Sequence, residues 1–180
     1  TRLAEEPTAL IVAGKNGPNR HGVQYFFENI WPVVRERVPA AKCVVAGNIC
    51  EVITKTEGIE LLGYVEVLAS LYSRAWVAVA PVYFGTGLKI KTIEALSYGL
   101  PVVTPPAGAV GLEEFEGRAV DVVGSDETYV ERLVYRLSPG ALNACLSDTI
   151  REQLQERVET HKKTFLECIG AGEAYDSAKS

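Results

Sequence analysis

Six apolar runs of strand length, each parted from the next by a helical or turn-forming stretch, restrict how this chain of 180 residues can fold. Ala9 to Ala13 is continuously apolar, which suits a strand buried on both faces. Cys43 to Ala46, Ile59 to Leu62, Val77 to Pro81, Val102 to Thr104 and Ala119 to Val123 read as five more. After the first, Val23, Phe26, Phe27, Ile30 and Val34 fall at i, i+3, i+4, i+7 and i+11, one stripe of an amphipathic helix. Pro32 lies inside that stripe and predicts a kink or a split. Further helices are predicted around Glu51 to Glu57, from Glu66 to Arg74, from Lys89 to Tyr98, over residues 126 to 137, and from Gly140 to Ile169. Strands alternating with helices specify an α/β class, a doubly wound parallel sheet of six strands. Ligands of such sheets sit beyond the carboxyl ends of the strands, near the point where strand order reverses. The loops to search are therefore Gly14 to Gly22, Gly47 to Cys50, Gly63 to Val65, Val82 to Leu88 and Pro105 to Glu114.

Bulk properties exclude several classes. With 47% apolar and 23% charged residues, the chain is long enough to bury one substantial core. A net charge of −5 leaves no basic footprint, so nucleic acid is not an expected partner. No apolar run reaches the length of a membrane span and no signal peptide opens the chain, so a cytoplasmic location is expected. Cys43, Cys50, Cys145 and Cys168 are scattered without C-x-x-C spacing and read as reduced thiols. The chain has no methionine, even at residue 1, and residues 1–7 read as a linker remnant of something larger. The compact unit is expected over residues 8–169, with a frayed polar tail at 170–180.

The chemistry concentrates between Pro81 and Pro101. There a strand runs into a loop of Phe84, Gly85, Thr86 and Gly87, and the loop into a helix that opens on Lys89 and Lys91 and carries Glu94. The first N–H groups of a helix have no partner within it and point at whatever lies ahead. Two lysines at that end oppose the helix dipole, and a bound anion would compensate them. Lys91 and Glu94, three apart, share a face that could offer a cation to phosphate and a carboxylate to a ribose diol. The competing reading is a plain Lys91–Glu94 surface pair beside a loop kept for its turn geometry. The loop after the first strand, Gly14 to Gly22, is a second phosphate candidate through Lys15 and Arg20, or else a solvated polar turn.

Other chemistries lack their residues. No G-x-x-x-x-G-K-[ST] occurs, and Ile90 stands where a dinucleotide fingerprint needs its third glycine. No G-x-S-x-G occurs for a hydrolase and no D-x-D for a metal clamp. The two histidines, His21 and His161, are far apart and read as surface residues, so no metal site and no cofactor are expected. Glu113, Glu114 and Glu116 read as a solvent-facing acidic loop.

Taken together, Pro81, Gly85, Thr86, Gly87, Lys89, Lys91, Glu94, Ala95, Leu96, Gly99, Pro101, Val102 and Val103 resemble the signature of the retaining group 1 glycosyltransferases. Supporting marks are Gly63-Tyr64-Val65, Leu71 and Tyr72 with Ala75, and the turn Gly108, Gly111, Leu112. The likeness runs from about residue 8 to residue 138 and is to the C-terminal, donor-binding lobe of a two-lobed (GT-B) enzyme, Rossmann-like in fold. The resemblance implies that a nucleoside-diphosphate sugar binds this lobe and that the acceptor binds an N-terminal lobe absent from this chain. It implies that Glu94 holds the ribose hydroxyls and that backbone N–H groups of Gly85, Thr86, Gly87 and Leu88 face sugar or phosphate. It also implies a base lying near Tyr64 and Val65, and a diphosphate met by Lys15 and Arg20, with Lys89 and Lys91 adding charge. No catalytic residue is assigned to this lobe.

One departure stands out. Members of the family often carry an acid eight residues before the Glu94 position, and here that residue is Thr86. Two alternatives stay open at the level of sequence: a sugar-nucleotide epimerase of the same architecture, and a degenerate lobe that binds nucleotide or scaffolds a partner without catalysis. A receiver domain is excluded because Lys15, Asn16 and Gly17 stand where it needs clustered acids.

Overall fold

A computed structural model describes residues 6–85 and 89–139, together with 156 and 160. Thr86, Gly87 and Leu88, the expected tail at 170–180, and the expected helix from Gly140 to Ile169 apart from Glu156 and Thr160 lie outside the described residues.

The sheet is all-parallel and six-stranded: β1 (Thr8–Val12), β2 (Lys42–Ala46), β3 (Ile59–Gly63), β4 (Val77–Val79), β5 (Val102–Thr104) and β6 (Val120–Val122). Their spatial order is β3-β2-β1-β4-β5-β6. The fold is Rossmann-like, and its order reverses between β1 and β4, where Ala9 pairs with Val77 and Leu10 with Ala78. Each predicted strand is present, with ends displaced by a residue or two.

Alternating side chains along each strand feed two cores, one on each face. Ala9 and Ile11 join Phe26, Trp31, Val45 and Leu133 on one side. Leu10 joins Tyr72, Ala78, Leu96, Val102 and Phe115 on the other. Burial on both faces explains why the strands read as apolar runs rather than as alternations. β3 is at the edge and does alternate, with Glu60 and Leu62 exposed.

The helical stripe after β1 resolves into three pieces. α1 (Gly17–Tyr25) passes into a wide π-helical turn (Phe26–Ile30), and α2 (Trp31–Arg37) follows with Pro32 in its first turn. Pro32 has no N–H to continue the ladder, so the turn widens, and Trp31 N–H reaches Phe26 O. The kink or split expected at Pro32 takes the form of this π-helical turn, within a helical run that does not break. The helix expected around Glu51 to Glu57 is absent: a 3-10 turn (Asn48–Glu51) ends where that helix was to begin. Gly58, at φ +74°, closes the following loop instead. α3 is shorter than expected (Ala69–Arg74), whereas α4 (Ile90–Ser97) and α6 (Asp126–Arg136) match within a residue. A short α5 (Pro106–Ala109) fills the stretch expected to be loop.

Candidate functional site

Two helix starts converge where strand order reverses. The segments that leave the carboxyl ends of β1 and β4 line a cleft of about 380 Å³ together with the first residues of α1 and α4. Gly14, Asn16 and Asn19 line one wall; Phe84, Gly85 and Lys89 to Thr92 line the other. The walls approach closely because Gly22 of α1 packs on the chain after β4. A Cβ there would stand 1.6 Å from the Pro81 carbonyl oxygen, closer than any side chain tolerates. That contact also brings the His21 ring within 5.4 Å of the Phe84 ring and 6.4 Å of the Tyr83 ring. His21 is exposed, as the sequence reading has it.

The two helix starts differ in chemistry. At α1, Asn16 caps the helix: its side-chain oxygen accepts from Asn19 N–H at 2.9 Å, and Pro18 occupies the first turn. At α4 the cap position is Lys89, no side chain caps the helix, and its first turn has no acid. Among the described residues, the α4 N-terminus therefore presents N–H groups without a side-chain acceptor on one wall of the cleft.

The cations at that end have partners within the chain. Lys89 Nζ donates to Gly85 O at 3.0 Å, and Lys91 Nζ lies 2.6 Å from Glu94 Oε2. The second contact is the surface pair that the competing sequence reading foresees. It joins a half-exposed lysine to a carboxylate 28% exposed, so water screens it and its worth is small.

The remaining candidates are dispersed. Lys15 follows β1, and its Nζ pairs with Glu51 Oε2 at 2.7 Å, both side chains being more than half exposed. Arg20 is not in a loop. It lies on α1 and, with Gln24 and Glu28, lines a separate hollow of about 180 Å³ against residues 52–56. The reason is that α1 begins at Gly17, so the expected loop from Gly14 to Gly22 is half helix. Tyr64, beyond β3, is 78% exposed, and Val65 is half-buried beside it. Gly85 adopts φ +125°, a conformation that L side chains rarely take. Thr86, Gly87 and Leu88 lie outside the described residues. Glu113, Glu114 and Glu116 are exposed.

Tyr72 is the neighbour that the sequence reading of the site lacks. It comes from α3 and is 2% exposed, and its ring stacks on Tyr98 at 4.7 Å and 11°. Its hydroxyl lies close to the Glu94 carboxylate but makes no hydrogen bond of good geometry among the described residues. Burial, then the nearby Glu94 charge, pushes that hydroxyl far above the ordinary phenol range. The sequence contained one signal of this, since Leu71, Tyr72 and Ala75 form a recognisable group without a stated role.

No group of three or more His, Cys, Asp or Glu side chains that could hold a metal ion occurs among the described residues. No helix among them is long and apolar enough to cross a membrane.

Residues 6–138 match a family model described as glycosyl transferases group 1. No curated protein matches the chain. Several solved structures share its fold. A variant of S. aureus TarM, solved with fondaparinux, alpha-GlcNAc-glycerol and UDP, superposes with a TM-score of 0.68 at 16% identity, over 92% of this chain and 36% of that one. Sucrose-phosphate synthase from Thermosynechococcus elongatus gives 0.65 at 18% identity, over 95% and 47%. Anabaena Alr3699/HepE, solved with UDP and glucose, gives 0.66 at 13%, over 92% and 48%. The chain spans about a third to a half of the length of these structures.

Proposed function

This chain belongs to the group 1 glycosyltransferases, and from that premise we propose that its cleft holds the nucleoside-diphosphate part of an activated sugar. The observation that carries the reading is the uncapped start of α4, flanked by Lys89 and Lys91, on the wall of a cleft at the β1/β4 crossover. A diphosphate there would accept from the free N–H groups and draw the two ammonium groups from their local partners. Glu94, released from Lys91, would accept from the ribose hydroxyls one turn further along the same face. The backbone of Gly85, Thr86, Gly87 and Leu88 would face phosphate or sugar, and the base would extend toward Tyr64 and Val65. Lys15, between the cleft-lining Gly14 and Asn16, would turn from Glu51 to the diphosphate, and Arg20 would turn from its hollow to add to it. The UDP in the TarM and HepE structures supports a uridine nucleotide as the first probe.

In transfer, the bond between the anomeric carbon and the diphosphate oxygen breaks and negative charge builds on the leaving group. Lysines and helix N–H groups would stabilise that charge without a divalent metal. The acceptor and any general base belong to a second, N-terminal lobe in this reading, so this chain alone binds donor and transfers little. Residues 1–7 would then be linker.

The test is calorimetry with UDP, GDP and pyrophosphate on the parent and on Glu94→Ala. The loss of hydrogen bonds to a carboxylate, each worth about 2 kcal/mol, weakens nucleoside diphosphates at least tenfold and spares pyrophosphate, to within about twofold. Equal losses for both ligands would remove the ribose assignment. Folded protein that takes up no nucleotide at millimolar concentration would remove the whole reading.

A further inference from the structure

Lys91 and Glu94 of α4 and Tyr98, which caps its C-terminus, stand at i, i+3 and i+7 and so share one side of the helix. The Lys91 ammonium holds one end of that face to the Glu94 carboxylate, and the Tyr98 ring holds the other end to Tyr72. Tyr72 is thereby fixed beside Glu94 by its stacking and by burial in the core beneath α3. A void of about 20 Å³, room for one water, separates α4 from the sheet and is lined by Tyr72, Lys91 and Thr92.

The unmet hydroxyl of Tyr72 needs an explanation. A buried O–H without a partner destabilises a fold, and phenylalanine would pack the same space at no such cost. Tyr83 and Tyr129 carry unpartnered hydroxyls too, but Tyr72 is the one whose surroundings include the carboxylate that a nucleotide would engage. While Lys91 holds Glu94, that carboxylate already has its charged partner. Once Lys91 turns to a diphosphate, the carboxylate loses it, and the Tyr72 hydroxyl beside it is a donor that can take its place.

We propose that Tyr72 is a positioning residue for Glu94: its hydroxyl donates to the carboxylate when nucleotide draws Lys91 away, and so holds the carboxylate to accept from the ribose diol. The inference rests on the nucleotide-binding reading given above. It goes beyond that reading because it assigns the orientation of Glu94 to a side chain of another helix that touches no ligand. Tyr72 thus couples the two halves of the donor: capture of the diphosphate by Lys91 readies the ribose subsite.

Tyr72→Phe keeps the ring, the stacking and the burial and removes the hydroxyl alone. Calorimetry compares the parent, Tyr72→Phe, Glu94→Gln and the double variant, each with UDP, with 2′,3′-dideoxy-UDP and with pyrophosphate. Tyr72→Phe should bind UDP about tenfold more weakly and the other two ligands within about twofold of the parent. The double variant should bind UDP no more weakly than Glu94→Gln alone, because both changes remove one linked contact. Without ligand, Tyr72→Phe should melt no lower than the parent, since the hydroxyl it loses is unpartnered there. A lower melting temperature, or an equal loss for all three ligands, would make the hydroxyl structural and overturn the inference. If Glu94→Gln weakens UDP but Tyr72→Phe does not, only this inference falls. If the parent itself takes up no UDP, both fall together.

Discussion

Asp121 of β6 and Arg136 of α6 form a buried ion pair, Nε to Oδ2 at 2.7 Å, with side chains 5% and 7% exposed. Removing one partner of such a pair leaves the other charge buried and unanswered. Asp121→Ala should therefore destabilise the fold by about 3–5 kcal/mol in urea unfolding, far more than loss of the exposed Lys15–Glu51 pair. Equal effects of the two changes would contradict that ranking. How legible such residues are depends on their separation along the chain. Lys89, Lys91 and Glu94 could be picked out because the loop and helix that carry them are contiguous. Tyr72 comes beside Glu94 from another helix, 22 positions back, and Lys15 pairs with Glu51 from 36 positions away, so neither neighbour could be read from spacing. The Asp121–Arg136 pair is hidden for the same reason.

The helix elements were legible where periodicity alone defines them and not where turn chemistry does. Gly17, Pro18 and Asn19 look like loop residues, yet Asn16 caps a helix that begins at Gly17, with Pro18 in its first turn. An Asn cap followed by Pro near the start was the available signal, and polar, glycine-rich composition outweighed it. Arg20 therefore stands on a helix face rather than in the expected loop. The same helix carries Gly22, whose missing side chain lets α1 touch the backbone at Pro81. Gly22→Ala should force α1 away from the chain after β4 and cost about 1–3 kcal/mol of stability, measured by chemical denaturation. Because that contact sets the spacing of the cleft walls, UDP affinity should fall as well. A variant of unchanged stability and affinity would show that the approach of the two segments is not tight in solution.

Over the whole molecule, the parallel sheet and its burial on both faces followed from six apolar runs, but the order β3-β2-β1-β4-β5-β6 did not, since pairing between strands leaves no local trace. One global property follows from the two cores. Burial first, then neighbouring charges, pushes the hydroxyls of Tyr72, Tyr83 and Tyr129 well above the ordinary phenol range. Unfolded tyrosines release their protons near pH ~10, while these keep theirs in the folded state. The stability linked to them is thus complete below about pH 10 and declines as pH rises toward the folded values. Urea midpoints should fall between pH 9 and pH 11 (on the order of the phenol pKa), and Tyr129→Phe should lessen the slope. An unaltered slope would place the alkaline sensitivity elsewhere. The position of the cleft at the reversal point is the global feature on which the proposed function turns. A crystal structure with UDP examines it directly: the diphosphate should lie at the start of α4 with Lys91 turned toward it and Glu94 on the ribose. Nucleotide bound elsewhere, or a cleft unchanged at saturating UDP with Lys91 still on Glu94, would contradict the assignment.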